Sequence, residues 1–125
     1  MLDTSVVVAH LRGVTAVSQR LEEAQTRCLS TVALGELYFG IHRSASSGEG
    51  LRLLQRWLQV AVLLPVGAST AEQFGRLKDQ LARAGTPIPE NDLWIAACAL
   101  EHGLSLATLD SHFSRVPGLT VLDWH

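Results

Sequence analysis

Four carboxylates stand alone in otherwise uncharged stretches of the chain. Asp3 lies in MLDTSVVVA, Glu36 in CLSTVALGELYFGI, Asp92 at the head of DLWIAACAL and Asp110 at the close of LSLATLD. A charge in an apolar setting is costly unless something neutralises it. One such acid can be a helix cap. Four, at the edges of different apolar segments, point to a shared purpose, and a divalent cation serves it most simply. Hard ions such as Mg²⁺ and Mn²⁺ take oxygen ligands, so a carboxylate cluster suits them.

The remaining eight acids read as surface. Glu22 and Glu23 sit on a polar helix face, Glu72–Arg76 and Asp79–Arg83 are spaced i,i+4 as solvated helix pairs, and Glu49, Glu90, Glu101 and Asp123 lie near polar or turn-like residues. Other chemistries find little support. His10, His42, His102, His112 and His125 show no ligand spacing and read as surface or core, so zinc is not expected. Asp110-Ser111-His112 contains triad residue types, but adjacent residues cannot face one another as a triad requires. The glycines make no phosphate-binding loop. A phosphoryl-receiver domain needs a lysine near its last strand, whereas the single lysine, Lys78, falls mid-helix. A haloacid-dehalogenase-like phosphatase needs D-x-D, but Asp3 is followed by Thr4 and Ser5.

The elements that must position the four acids alternate. Met1–Leu2 form a very short strand up to Asp3, and Thr4 or Ser5 starts a helix through Leu11 that Gly13 ends. A helix over about Thr15–Ala24, a strand at Arg27–Leu29 and a Ser30-capped helix over Thr31 to about Arg43 follow. Ser44–Gly50 reads as a loop, Leu51–Gln59 as helix and Val60–Leu64 as strand. Ser69 with Glu72 makes a capping box for a helix through Arg83. After a turn at Ala84–Pro89, Asn91 caps a helix ending at Gly103. Leu104–Ala107 and Leu119–Leu122 are strands, with a turn at Asp110–Phe113 between them.

This alternation predicts an α/β domain: three layers, α/β/α, around a central parallel sheet of four or five strands. Ligands of such sheets bind beyond the carboxyl ends of the strands, where Asp3 and Asp110 fall. At 125 residues and 47% hydrophobic, the chain is expected to be one domain over 1–125 with a substantial core. No apolar run reaches the roughly 18–20 residues of a membrane span, and no basic-then-apolar leader opens the chain, so a cytoplasmic protein is expected. Cys28 and Cys98, far apart in apolar runs, read as reduced core thiols. The net charge of −2 argues against a nucleic-acid partner only superficially, because setting aside the four isolated acids reverses its sign. Nine of the ten basic residues are Arg, which permits bidentate phosphate contact without being diagnostic of it.

The ordered motifs resemble the PIN domain, and within it the VapC-type toxin ribonucleases of toxin–antitoxin pairs. Leu2-Asp3-Thr4-Ser5 resembles the family's LDT[SN] opening, and Ser30 through Leu37 its S-x-x-x-x-x-E-L helix. Asn91-Asp92-Leu93-Trp94-Ile95-Ala96-Ala97 resembles its N-D-x-x-I-A-A helix, and Thr108-Leu109-Asp110-Ser111-His112-Phe113 its T-x-D-x-x-F turn. Val121-Leu122-Asp123-Trp124 resembles the common ending. Leu109 departs from the Arg or Asn frequent at its position, and only two residues precede Asp3.

The resemblance implies a metal-dependent endoribonuclease, the toxin of a type II, VapBC-like pair. Asp3, Glu36, Asp92 and Asp110 would hold one or two Mg²⁺ or Mn²⁺ ions. Thr4, Ser5, Asn91, Thr108 and Ser111 are candidate supports of those carboxylates, and Arg12, Arg43 and Arg115 candidate RNA contacts. A homodimer and a cognate antitoxin that blocks the site are implied. Part of the apolar set Val7, Leu11, Leu37, Tyr38, Ile41, Leu54, Trp57 and Leu58 is expected to line a partner surface. A housekeeping RNA-processing nuclease of the same fold and a non-catalytic interaction module are the alternatives. Singly, each acid also has a structural account: Asp3, Asp92 and Asp110 as caps or first-turn acids. Glu36 has the weakest one, in an apolar helix with no basic residue shortly before it.

Overall fold

The computed structural model describes residues 1–125. The elements are α1 (Thr4–Leu11), α2 (Thr15–Glu23), β1 (Cys28–Ser30), α3 (Thr31–Arg43), α4 (Ser47–Leu58), β2 (Val62–Leu64), α5 (Ala68–Arg83), α6 (Glu90–Glu101), β3 (Leu106–Thr108) and β4 (Val121–Asp123), with a 3₁₀ turn at Ser111–Arg115. β1 pairs with β2 and β3 with β4, both in parallel. Leu2 joins the two halves through parallel bridges to Leu29 and Ala107. The order across the sheet is therefore β2, β1, Leu2, β3, β4, and the expected parallel sheet is present with a single residue as its central segment.

Leu2, Leu29, Leu106 and Ala107 are all buried, so the middle of the sheet is covered on both faces, whereas Val62, Leu63 and Leu122 leave the outer strands exposed. That is the three-layer arrangement a parallel sheet needs. The core continues through Val6, Val7, Leu37, Leu54, Trp57, Leu77, Leu81, Leu93, Ile95 and Phe113. Packing of α3 against both α1 and α6 brings the three helices that carry or follow acids together over one end of the sheet. No helix is long and apolar enough to cross a membrane.

Several local expectations shift. The loop at 44–50 is shorter, because α4 begins at Ser47 despite two glycines in its first turn. Gly50 is there for space: a Cβ on it would meet Ile41 Cγ2 at 3.2 Å, so its absence lets α4 approach α3. The β2 strand starts at Val62 because Val60 and Ala61 hydrogen-bond back to Trp57 and Leu58 as a helix-terminal turn. The α5 cap is not Ser69–Glu72. The Gly67 N–H donates to Thr70 Oγ1, and the Thr70 hydroxyl donates to Glu101 Oε2 at 2.6 Å. Glu101 is thus half-buried and ties α6 to α5, rather than being surface. Glu72–Arg76 and Asp79–Arg83 do pair on the exposed face of α5. Cys98 is buried and Cys28 half-buried, both as free thiols, and burial pushes the Cys98 thiol up to about 11, which makes it unreactive.

Candidate functional site

Each of the four isolated acids reaches the carboxyl end of the sheet by a different route. Asp3 directly follows the central residue Leu2, and its N–H donates to the Ala107 carbonyl at 2.9 Å, which fixes the backbone there. Asp110 stands two residues beyond β3, where its Oδ1 accepts from the His112 N–H at 2.9 Å and caps the 3₁₀ turn. Asp92 lies in the first turn of α6, which begins one residue before Asn91 with Pro89 as N-cap. Glu36 projects from α3, whose start is fixed by the Ser30 hydroxyl accepting from the Ala33 N–H at 3.1 Å.

Hydroxyls hold two of these carboxylates, Asp3 and Glu36. Asp3 is 4% exposed and makes no helix-capping bond. Instead its Oδ2 accepts from Ser5 Oγ and from Thr108 Oγ1, each at 2.8 Å. Thr108 Oγ1 also accepts from the Asp110 N–H at 2.9 Å, and Ser5 Oγ from the Leu109 N–H at 3.1 Å. The first helix and the turn after β3 are thereby locked to each other through Asp3. Thr4 Oγ1 donates to Glu36 Oε1 at 2.7 Å, joining α1 to α3.

Of the five candidate supports, Thr4, Ser5 and Thr108 hydrogen-bond a site carboxylate, and Asn91 and Ser111 do not. Asn91 is displaced outward by the earlier helix start and is exposed without a side-chain hydrogen bond. Ser111 is exposed, and it is its carbonyl that is used, accepting from Ser114 Oγ. The residue missed by sequence reasoning is His112. Its Nδ1 lies 3.2 Å from Asp92 Oδ2 and 3.2 Å from Asp110 Oδ1, between the two acids. The one available signal was its place two residues after Asp110, in a turn that folds the ring back over its own cap.

No lysine or arginine pairs with any of the four acids. Burial pushes the Asp92 carboxyl up to about 6; the His112 hydrogen bond pulls it down, while the charges of Asp3, Asp110 and Glu36 push it further up. Four carboxylates crowd one another here without a fixed cation. In each, one oxygen is held by the protein and the other, Asp3 Oδ1, Glu36 Oε2, Asp92 Oδ1 or Asp110 Oδ2, accepts no protein hydrogen bond. An all-oxygen donor set with one free oxygen per acid fits a hard divalent ion. Asp92, Asp110 and His112 alone already bring three ligand atoms within 4.8 Å of one another.

The architecture can be compared with that of known proteins. The PIN domain family model matches residues 1–119. The chain belongs to the PIN domain family. Ribonuclease VapC2 of Haemophilus influenzae is 31% identical over 127 residues, covering 99% of this chain and 96% of that protein. The tRNA(fMet)-specific endonuclease VapC of Shigella flexneri is 32% identical over 127 residues, with 99% and 96% covered. VapBC2 from Rickettsia felis, solved bound to a DNA fragment from their promoter, matches with a TM-score of 0.93 at 26% identity, covering 100% of this chain and 98% of that one. DNA-bound VapBC from Salmonella typhimurium also gives 0.93, at 28% identity with 100% and 97% covered.

Around this PIN site the three arginines differ. Arg12 lines a groove between α1, α3 and α4 together with Glu36, Leu37 and Ile41. Arg43 lies over the Phe39 ring, and Arg115 donates to the Pro87 carbonyl at 3.1 Å. The apolar set singled out in the sequence divides. Val7, Leu37, Leu54 and Trp57 are core, while Leu11, Tyr38, Ile41 and Leu58 are only partly buried. Leu11 and Ile41, with the edge of Leu37, face the groove.

Proposed function

We propose that this PIN domain is a divalent-metal-dependent endoribonuclease and the toxin of a VapBC-like toxin–antitoxin pair. The observation that carries the reading is the convergence of Asp3, Glu36, Asp92 and Asp110, each with one oxygen free and none with a basic partner. The relatives named ribonuclease and tRNA-specific endonuclease support an RNA substrate. The VapBC complexes among similar structures support an antitoxin partner.

The four acids would hold one or two Mg²⁺ or Mn²⁺ ions through their free oxygens. When bound, such an ion would acidify the attacking water and offset charge gathering on the phosphate. The protein's own part is positioning. Ser5 and Thr108 fix Asp3, Thr4 fixes Glu36, and the capped turn fixes Asp110 and brings His112 against Asp92. Glu36 and Asp92, facing the site from two different helices, would orient the water for in-line attack. Arg12, in the same groove as Glu36, would meet an RNA phosphate; Arg115 is already engaged by Pro87 and is the weaker candidate. An antitoxin segment would lie in that groove, on Leu11, Leu37 and Ile41, and cover the approach to Glu36. We expect a cytoplasmic homodimer.

The test is digestion of total RNA with EDTA, Mg²⁺ or Mn²⁺, with the new 5′ ends mapped. Defined cuts that need the ion and vanish in Asp3→Asn are expected. Cleavage that persists in EDTA, or in Asp3→Asn, would overturn the metal-site reading.

A further inference from the structure

The exposed face of α3 holds a feature that neither the carboxylate site nor the groove uses. Phe39 is 64% exposed, more than any other large apolar side chain of the protein. The Arg43 guanidinium lies 5.7 Å from its ring centroid and pairs with no carboxylate. Gly35, Phe39 and Arg43 recur every four residues and so form one stripe along the helix. Glu36 stands beside that stripe, three residues before Phe39, or about 4.5 Å along the axis. On the side of Phe39 away from Arg43 the helix presents Gly35, where even a Cβ would meet nothing within 4 Å. The aromatic ring thus has a cation on one flank and open space on the other, one helical turn from a site carboxylate.

The geometry points to Phe39 as a platform on which an unpaired RNA base stacks, with Arg43 holding the adjoining phosphate. This inference rests on the ribonuclease reading and deepens it. Every base offers a π-face, so an exposed aromatic beside a cation binds single-stranded nucleic acid with little dependence on sequence. A duplex cannot offer an unstacked base, so the platform selects loops, bulges and ends over helices. RNA is favoured over a protein partner by position: the ring stands one helical turn from the site carboxylate Glu36, and the guanidinium beside it has no carboxylate partner and is free to meet a phosphate. Arg12 lies in the groove on the other side of Glu36, where Glu49 is also part of the lining.

The experiment compares Phe39→Ala, Phe39→Trp and Arg43→Ala in an Asp92→Asn background, with fluorescence anisotropy on a short single-stranded RNA and on its duplex. Phe39→Ala should weaken single-strand binding about tenfold, Phe39→Trp should restore it, and neither should alter duplex binding. Arg43→Ala should weaken binding and lower its salt dependence. In otherwise wild-type protein, Phe39→Ala should raise KM more than it lowers kcat. Equal single-strand affinities with and without the Phe39→Ala substitution would overturn the platform. So would a fall in molecular mass by light scattering in Phe39→Ala, which would assign the ring to contact with a second copy. If wild type cuts no RNA with either ion, the ribonuclease reading itself fails; if wild type cuts and Phe39→Ala matches its KM, the platform alone fails.

Discussion

Replacing Asp92 by Asn should stabilise the metal-free protein while abolishing its activity. The Asp92 side chain is 14% exposed, so solvent screens it little. Its carboxyl stands at about 6 against an ordinary 3.8, raised first by burial and then by Asp3, Asp110 and Glu36. Each pKa unit is worth about 1.4 kcal/mol, so ionising Asp92 costs the native state about 3 kcal/mol. The sign follows from linkage. Well below pH 3.8 the group is protonated in both states and costs nothing. As pH rises toward about 6 the unfolded chain releases its proton first, so native stability falls; above about 6 the full cost is present. Asn cannot ionise, and its amide oxygen can still accept from His112. In EDTA, Asp92→Asn should therefore come within about 0.5 kcal/mol of wild type at about pH 4 and exceed it at about pH 7.5 by up to about 3 kcal/mol, or about 10 °C in Tm. Adding Mg²⁺ or Mn²⁺ at about a hundred times its Kd should raise wild type by about 2.7 kcal/mol and the variant by much less. Melting curves at both pH values, with and without the ion, supply all four numbers. A variant that melts below wild type at the higher pH, or a gap that does not change with pH, would refute the reasoning.

Asp3→Asn should likewise lose metal-dependent RNA cleavage with its fold intact, judged by circular dichroism beside the digestion. Thr108→Val removes a buried donor to Asp3 and the acceptor for the Asp110 N–H, and should cost about 1–3 kcal/mol by urea denaturation; an unchanged midpoint would deny that network its role. Arg12→Ala should weaken RNA binding and reduce the salt slope by about one, whereas Arg115→Ala, whose guanidinium serves Pro87, should leave both nearly unchanged. Ile41→Glu, placed in the groove beside α1, should prevent co-purification with a co-expressed VapB-type antitoxin; an intact complex would move the partner to another face.

The sequence by itself determined what is local. A carboxylate alone in an apolar run is conspicuous wherever it ends up, so Asp3, Glu36, Asp92 and Asp110 were legible before any fold. The helix start at Ser30 and the stop at Gly13 follow from capping and from the positive φ of that glycine. The alternation of strand and helix was enough for a parallel sheet.

What only the tertiary structure decided is which side chains meet. Thr108 and Asp3 bond across 105 positions and Thr4 and Glu36 across 32, and no periodicity reports such a pairing. Asn91 and Ser111 adjoin acids in sequence yet point away, because a helix begun at Glu90 and a 3₁₀ turn rotate them outward. The same turn brings His112 inward against Asp92, from a neighbourhood that reads as surface. Glu101 looked solvated because its partner, Thr70, lies on another helix. Composition and spacing set the local backbone, but convergence depends on where separate helices cross the sheet edge. That is fixed by packing of the whole core, down to the missing Cβ of Gly50 that lets α4 close on Ile41.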